Sequence, residues 1–180
     1  KAGLRESRGP LRVYASKETH TWINKGADMF GLGTDAIRWI DVDAEQRIDV
    51  AALERQIVAD RNTGALPFLV VGTAGTVSTG VVDPLGAMAA VCRRHDIWFH
   101  VDGAYGALAA RVPGAPDSLR ALGEADAVAV DPHKWLYAPV EAGCALVRRR
   151  GDLFRTFSYH PSYYHFDDQV TNYYDLGPQN

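Results

Sequence analysis

Two short stretches bring reactive residue types to what read as strand ends. Val101-Asp102-Gly103-Ala104-Tyr105-Gly106 follows the apolar run Ile97 to Val101, and Asp131-Pro132-His133-Lys134-Trp135 follows the run Ala125 to Val130. Apolar runs this short, closed by Gly or Pro, read as buried strands of a parallel sheet. The ends of such strands are where α/β proteins place ligand chemistry. A lysine there, as its neutral amine, attacks an aldehyde to give a Schiff base. An aspartate at the end of a neighbouring strand holds a proton on a pyridine nitrogen, and Lys134 with Asp102 therefore describes a pyridoxal 5′-phosphate site. Each residue by itself has a plainer reading, a turn-capping aspartate and a solvated loop lysine. Spaced as two consecutive strand ends, they favour the cofactor.

The elements that must position these residues alternate along the chain. Leu11 to Ser16 reads as a strand, and Lys17 to Phe30 as a helix ended by Gly31 and Gly33, with His20 in its first turn. Ala36 to Val42 is a second strand. Asp49 is a good N-cap for the amphipathic helix Val50 to Arg61, in which Leu53, Ile57 and Val58 recur at helical spacing. Pro67 to Gly72 reads as a buried strand, followed by the small-residue loop Thr73 to Gly80. Asp83-Pro84 starts a helix that runs to about His95, a capping carboxylate with Pro in the first turn. Trp98 to Asp102, Ala127 to Asp131 and Gly143 to Arg148 are further strands, and Gly151 to Phe157 begins a helix. This alternation predicts an α/β fold with a mainly parallel sheet and helices on both faces, because parallel strands need crossover helices. Three loops then converge at the carboxyl ends of the strands: Thr73 to Gly80, Asp102 to Gly106 and Asp131 to Trp135.

With 180 residues, 47% hydrophobic and 23% charged, the composition is that of a globular chain long enough for a sizeable core. A net charge of −3 gives no sign of nucleic-acid binding, and the run Arg148-Arg149-Arg150 reads as a solvated edge. Cys92 and Cys144 fit neither a metal spacing nor a disulfide framework, so reduced thiols in a cytoplasmic protein, with no metal site, are the expectation. No apolar stretch approaches the about 18 residues of a membrane span. The chain opens at Lys1 and stops at Asn180 straight after an aromatic, turn-rich segment, which reads as a piece of a longer polypeptide.

The sequence resembles the group II pyridoxal-phosphate-dependent amino-acid decarboxylases, which include aromatic amino-acid, histidine and glutamate decarboxylases. Tyr14-Ala15-Ser16-x-x-x-His20 looks like the segment carrying the histidine that stacks on the cofactor ring, and Gly75-Thr76 matches the small-residue cofactor loop. His100-Val101-Asp102-Gly103-Ala104-Tyr105-Gly106 resembles the family's HVDAAYxG, and Asp131-Pro132-His133-Lys134-Trp135 its NPHKW. The resemblance implies the large domain of fold type I over residues 1–157, with an aromatic-rich mobile catalytic loop over 158–180. The N-terminal segment and the C-terminal small domain are expected to lie outside the chain.

Carried over by position, Lys134 would form the Schiff base, Asp102 would partner the pyridine nitrogen and His20 would stack on the ring. Ala104 would pack under the ring, Thr76 would belong to the cofactor loop, and Asp131 and His133 would lie near the phosphate. Tyr163 falls where decarboxylases carry a loop tyrosine that protonates Cα, whereas aldehyde-forming relatives tend to have Phe. Asp131 stands where many members have Asn, and a carboxylate beside a phosphate is repulsive. Val77 replaces the second Thr of the common Gly-Thr-Thr. The implied activity is conversion of an L-amino acid to the amine and CO2 by a homodimer with the site at the subunit interface. This isolated stretch is expected to be inactive, with the remaining segments either carried on a second chain or lost. Two alternatives remain open: an aldehyde synthase or other carbon–carbon lyase on the same fold, and an inactive fragment or structural subunit.

Overall fold

In the computed structural model, which describes residues 3–160 and 175–178, six strands form one sheet. They are β1 (Leu11–Ser16), β2 (Ile37–Ile40), β3 (Leu66–Thr73), β4 (Trp98–Asp102), β5 (Ala127–Val130) and β6 (Cys144–Val147), in the order β2-β1-β3-β4-β5-β6. The pairs β1/β2, β1/β3, β3/β4 and β4/β5 are parallel. The helices between strands are α1 (Trp22–Met29), α2 (Val50–Asn62) and α3 (Leu85–His95), with the short α4 (Pro132–Trp135) after β5. The chain divides into two compact units, residues 1–146 and 147–180, and the second contains α5 (Gly151–Phe157).

Strand alternation sorts the core into two clusters, one on each face of the sheet. Tyr14, Val70, Phe99 and Val101 pack with Leu53 and Ile57 of α2 and Leu85, Met88 and Val91 of α3. Val13, Ala15 and Val71 pack with Ile23 and Ala27 of α1. The expected mainly parallel sheet with helices on both faces is therefore the observed fold. The order reverses direction at β1, where the chain moves from β2 on one side to β3 on the other. Such a switch opens a crevice at the carboxyl ends of the strands. A buried latch ties the switch strand to its neighbours: the Tyr14 hydroxyl donates to Asp60 at 2.9 Å, and the same carboxylate accepts the Arg38 Nε–H at 3.1 Å. Burial pushes the Tyr14 phenol up, so it stays a donor.

Three local expectations need correction. Helix α1 begins at Trp22 rather than near Lys17. The Ser16 hydroxyl accepts the Glu18 N–H at 3.2 Å and its carbonyl the Thr19 N–H at 3.0 Å, a side-chain-supported turn that competes with helix. His20 therefore lies in the connection before the helix. Asp83 does not cap α3, whose first turn has no side-chain cap; its carboxylate instead accepts the N–H groups of Thr73 at 2.8 Å and Ile48 at 2.9 Å. Residues 132–135, read as part of a loop, form a single helical turn with Pro132 at its start. The Asp49 cap holds as expected, accepting the Ala52 N–H at 2.9 Å.

Candidate active site

The loops after β1, β3, β4 and β5 line one cleft of about 720 Å3 at the carboxyl edge of the sheet. Its walls include His20, Thr76, Asp102, Ala104, Asp131 and Lys134, so most of the residues singled out from sequence come together within it. His133 does not line it. Its Nδ1 lies 2.8 Å from the Ala142 carbonyl oxygen and 3.1 Å from the Ala142 nitrogen, turned to backbone. Tyr163 lies outside the described residues.

The loop after β3 is shaped by close approach. Gly75 has φ +94°, a conformation that side chains other than glycine rarely adopt, and its N–H and that of Thr76 both donate to the Val81 carbonyl. The Thr76 hydroxyl accepts the Val81 N–H at 3.2 Å and pairs with the Thr79 hydroxyl at 2.8 Å, so it braces the loop from within. The Gly106 N–H donates to the Ala74 carbonyl at 2.8 Å and locks this loop to the next. A Cβ on Gly106 would lie 2.3 Å from that carbonyl oxygen. Gly106→Ala is accordingly expected to lower stability by about 1–3 kcal/mol, as overpacking does. Chemical denaturation checks this, and an unchanged midpoint would show that the loops part without cost.

Asp102 ends β4, and it is only 8% exposed. Its Oδ2 accepts the Trp22 indole N–H at 2.6 Å and its Oδ1 the Ala104 backbone N–H at 3.1 Å. His100, two residues earlier on the same face, meets Trp22 edge to face with ring centroids 5.8 Å apart. Burial holds the His100 imidazole below its ordinary range, opposed by the Asp102 charge, so it is neutral at neutral pH. Lys134, on α4, reaches Asp131 Oδ2 at 2.9 Å. Tyr105 stands edge to face with Trp135, centroids 5.6 Å apart, on the outer wall.

Among the cleft residues not singled out as site residues from the sequence are Thr73, Trp22 and His100. Parity would have found His100, which shares a strand face with Asp102. Thr73 is 3% exposed, and its hydroxyl has no hydrogen-bond partner among the described residues. A buried hydroxyl without a partner is costly, and this one lines the cleft, which calls for a polar group there. An amine that captures an aldehyde and a carboxylate for a ring nitrogen are the pair of groups used by pyridoxal phosphate sites, and both line this cleft.

Residues 5–179 match the pyridoxal-dependent decarboxylase conserved domain. The chain is 39% identical over 160 residues to an aromatic-L-amino-acid decarboxylase of Bacillus atrophaeus, covering 89% of this chain and 33% of that protein. It is 40% identical over 167 residues to the cysteine sulfinic acid decarboxylase of Mus musculus, covering 93% and 34%. The crystal structure of Oryza sativa TDC with PLP and tryptamine superposes with a TM-score of 0.86 at 32% identity, over 95% of this chain and 36% of that one. The chain thus spans about a third of the length of the relatives it matches.

Proposed function

The chain belongs to the pyridoxal-dependent decarboxylase family, and from that premise we propose that the protein removes the α-carboxylate of an L-amino acid as CO2, with pyridoxal 5′-phosphate held by Lys134. The observation that carries this reading is the convergence of Lys134 and Asp102 on one cleft from the ends of β5 and β4. When bound, the cofactor supplies an aldehyde that takes an amine and a ring that accepts the electron pair left by CO2.

The residues divide the remaining work. Lys134 would hold the aldehyde carbon until the substrate amine displaces it. The Asp131 carboxylate, 2.9 Å from the Lys134 amine, orients that side chain on the cleft wall. Asp102 holds the proton on the ring nitrogen, which makes the ring a better electron sink. His20, Ala104 and Thr76 line the cleft, where His20 would face the ring and Ala104 and the Thr76 loop would hold it in place. By the resemblance Asp131 would stand on the phosphate side, while His133, which does not line the cleft, would brace the Ala142 backbone behind it. Tyr163 returns a proton to Cα, giving the amine.

Homodimer formation is part of the proposal. Leu136, Tyr137 and Val140, just past the lysine, are exposed apolar side chains of the kind that mark interfaces. A cytoplasmic location fits two unpaired cysteines, and no described helix is long and apolar enough to cross a membrane.

The test is CO2 and amine release by the full-length protein, loaded with pyridoxal phosphate, from a panel of L-amino acids spanning aromatic, acidic and sulfinate side chains. Aldehyde with ammonia and peroxide would support the aldehyde-synthase reading, and no product from any member would overturn both. The fit of the cofactor has its own test in Thr73. Thr73→Val is expected to leave the cofactor-free protein as stable as before, because the hydroxyl it removes has no partner among the described residues. It should weaken pyridoxal phosphate binding roughly three- to tenfold, the worth of one hydrogen bond. Unchanged affinity would mean that this hydroxyl does not meet the cofactor.

A further inference from the structure

Trp22 has no role in the motif resemblance, yet it holds the side chain on which the proposed chemistry depends. It is the first residue of α1, the helix that covers the face of the sheet opposite α2 and α3. Alternation along β4 sends Phe99 and Val101 to the α2/α3 face, leaving His100 and Asp102 on the α1 face. The Trp22 ring crosses both. It packs edge-on to His100 at an interplanar angle of 78° and donates its indole N–H to Asp102 Oδ2 at 2.6 Å. Its backbone N–H donates to His20 Nδ1 at 3.2 Å. One residue thus tethers both His20 and Asp102.

We propose that Trp22 is a positioning residue that fixes the Asp102 carboxylate for the pyridine nitrogen of the cofactor. An ionised carboxylate offers about four lone-pair directions. Trp22 occupies one on Oδ2 and the Ala104 N–H one on Oδ1, so each oxygen retains one direction for a further donor. The indole N–H only donates, so the bond cannot reverse, and the carboxylate stays purely an acceptor. A neutral donor also leaves the single negative charge of Asp102 uncancelled for a protonated ring nitrogen. Rigidity matters because a charge aimed in advance needs no reorganisation when the ring's electron demand rises. Trp22 acts through Asp102 and does not itself take part in bond making.

This inference rests on the cofactor reading above, and the experiment separates the two. Dissociation constants are measured on the cofactor-free full-length protein with two ligands. One is pyridoxal phosphate, and the other is its 1-deaza analogue, in which C–H replaces the ring nitrogen. If the wild-type protein binds neither, the functional reading fails. Given wild-type binding, Trp22→Phe is expected to weaken pyridoxal phosphate about tenfold, the effect of one hydrogen bond to a charged group. The deaza analogue should bind Trp22→Phe as it binds wild type, since it makes no nitrogen contact for Asp102 to receive. A matching change in the bound cofactor's absorption band should accompany the loss. Equal weakening of both ligands would show that Trp22 is only structural, and no weakening of either would likewise overturn the proposal. Should the Phe variant not fold, 3-benzothienylalanine at position 22 keeps the indole shape without the N–H, and the same comparison decides.

Discussion

Lys134→Ala is expected to abolish covalent capture of pyridoxal phosphate and to reduce amine production on the order of 10³-fold or more, as loss of a covalent catalyst does. Lys134 carries an amine at the start of the cleft wall, on a helical turn fixed by Pro132 and held against Asp131 at 2.9 Å. Borohydride reduction followed by intact mass measurement should give one cofactor adduct on the wild-type protein and none on the variant. Lys134→Arg makes the argument sharper. It keeps a cation for Asp131 but removes the nucleophile, so it should fail to the same degree. If the arginine variant kept near-normal activity, the role of Lys134 would be that of an ion-pair partner, and the covalent assignment would fall.

Asp102→Asn should keep the fold while lowering turnover by roughly 10²–10³-fold, the usual cost of removing one aimed electrostatic contact. The substitution preserves volume but halves the acceptor capacity of a group that now receives Trp22 and Ala104 on separate oxygens. The amide's NH₂ end must then face the Trp22 or Ala104 N–H, with which it makes no hydrogen bond, or the ring nitrogen, which it can meet only by donating to the unprotonated form. Cofactor affinity should fall together with turnover, and both are readable by titration and steady-state rates. A variant that binds and turns over like wild type would remove Asp102 from the chemistry.

The strands were legible because their patterns are local. Leu11–Ser16 and Trp98–Asp102 fall at the residues the apolar runs predict, and Asp49 caps α2 because its side chain needs only the N–H three residues on. The errors also have local causes. Helix α1 starts later than its sequence pattern predicts because turn hydrogen bonds to Ser16 outcompete helix over the residues before Trp22. Asp83 looked like a cap because Asp-Pro before an apolar run usually is one. Its carboxylate went instead to the Thr73 and Ile48 N–H groups, which sequence distance hides. Burial pushes that carboxyl upward while the two N–H bonds pull it back, the balance of a group used as an internal brace.

By itself the sequence determined the period of each element, the chemistry at two strand ends and the family that pairs them, since each depends on residues close together in the chain. Which side chains share the cleft was a tertiary matter. Trp22 and Asp102 are 80 residues apart, and only the crossing of α1 over β4 brings an indole N–H to that carboxylate. Parallel pairing puts the loops after β3, β4 and β5 on one edge, as the sequence predicts; strand order decided that the loop after β1 lies beside that after β3, and the contact of Gly106 with Ala74 decided how closely two of them approach. Lys134 meeting Asp131 depended on a helical turn that the motif alone reads as loop. Hydrogen-bond partners are fixed by distance in space, and a period or a motif carries no record of that distance.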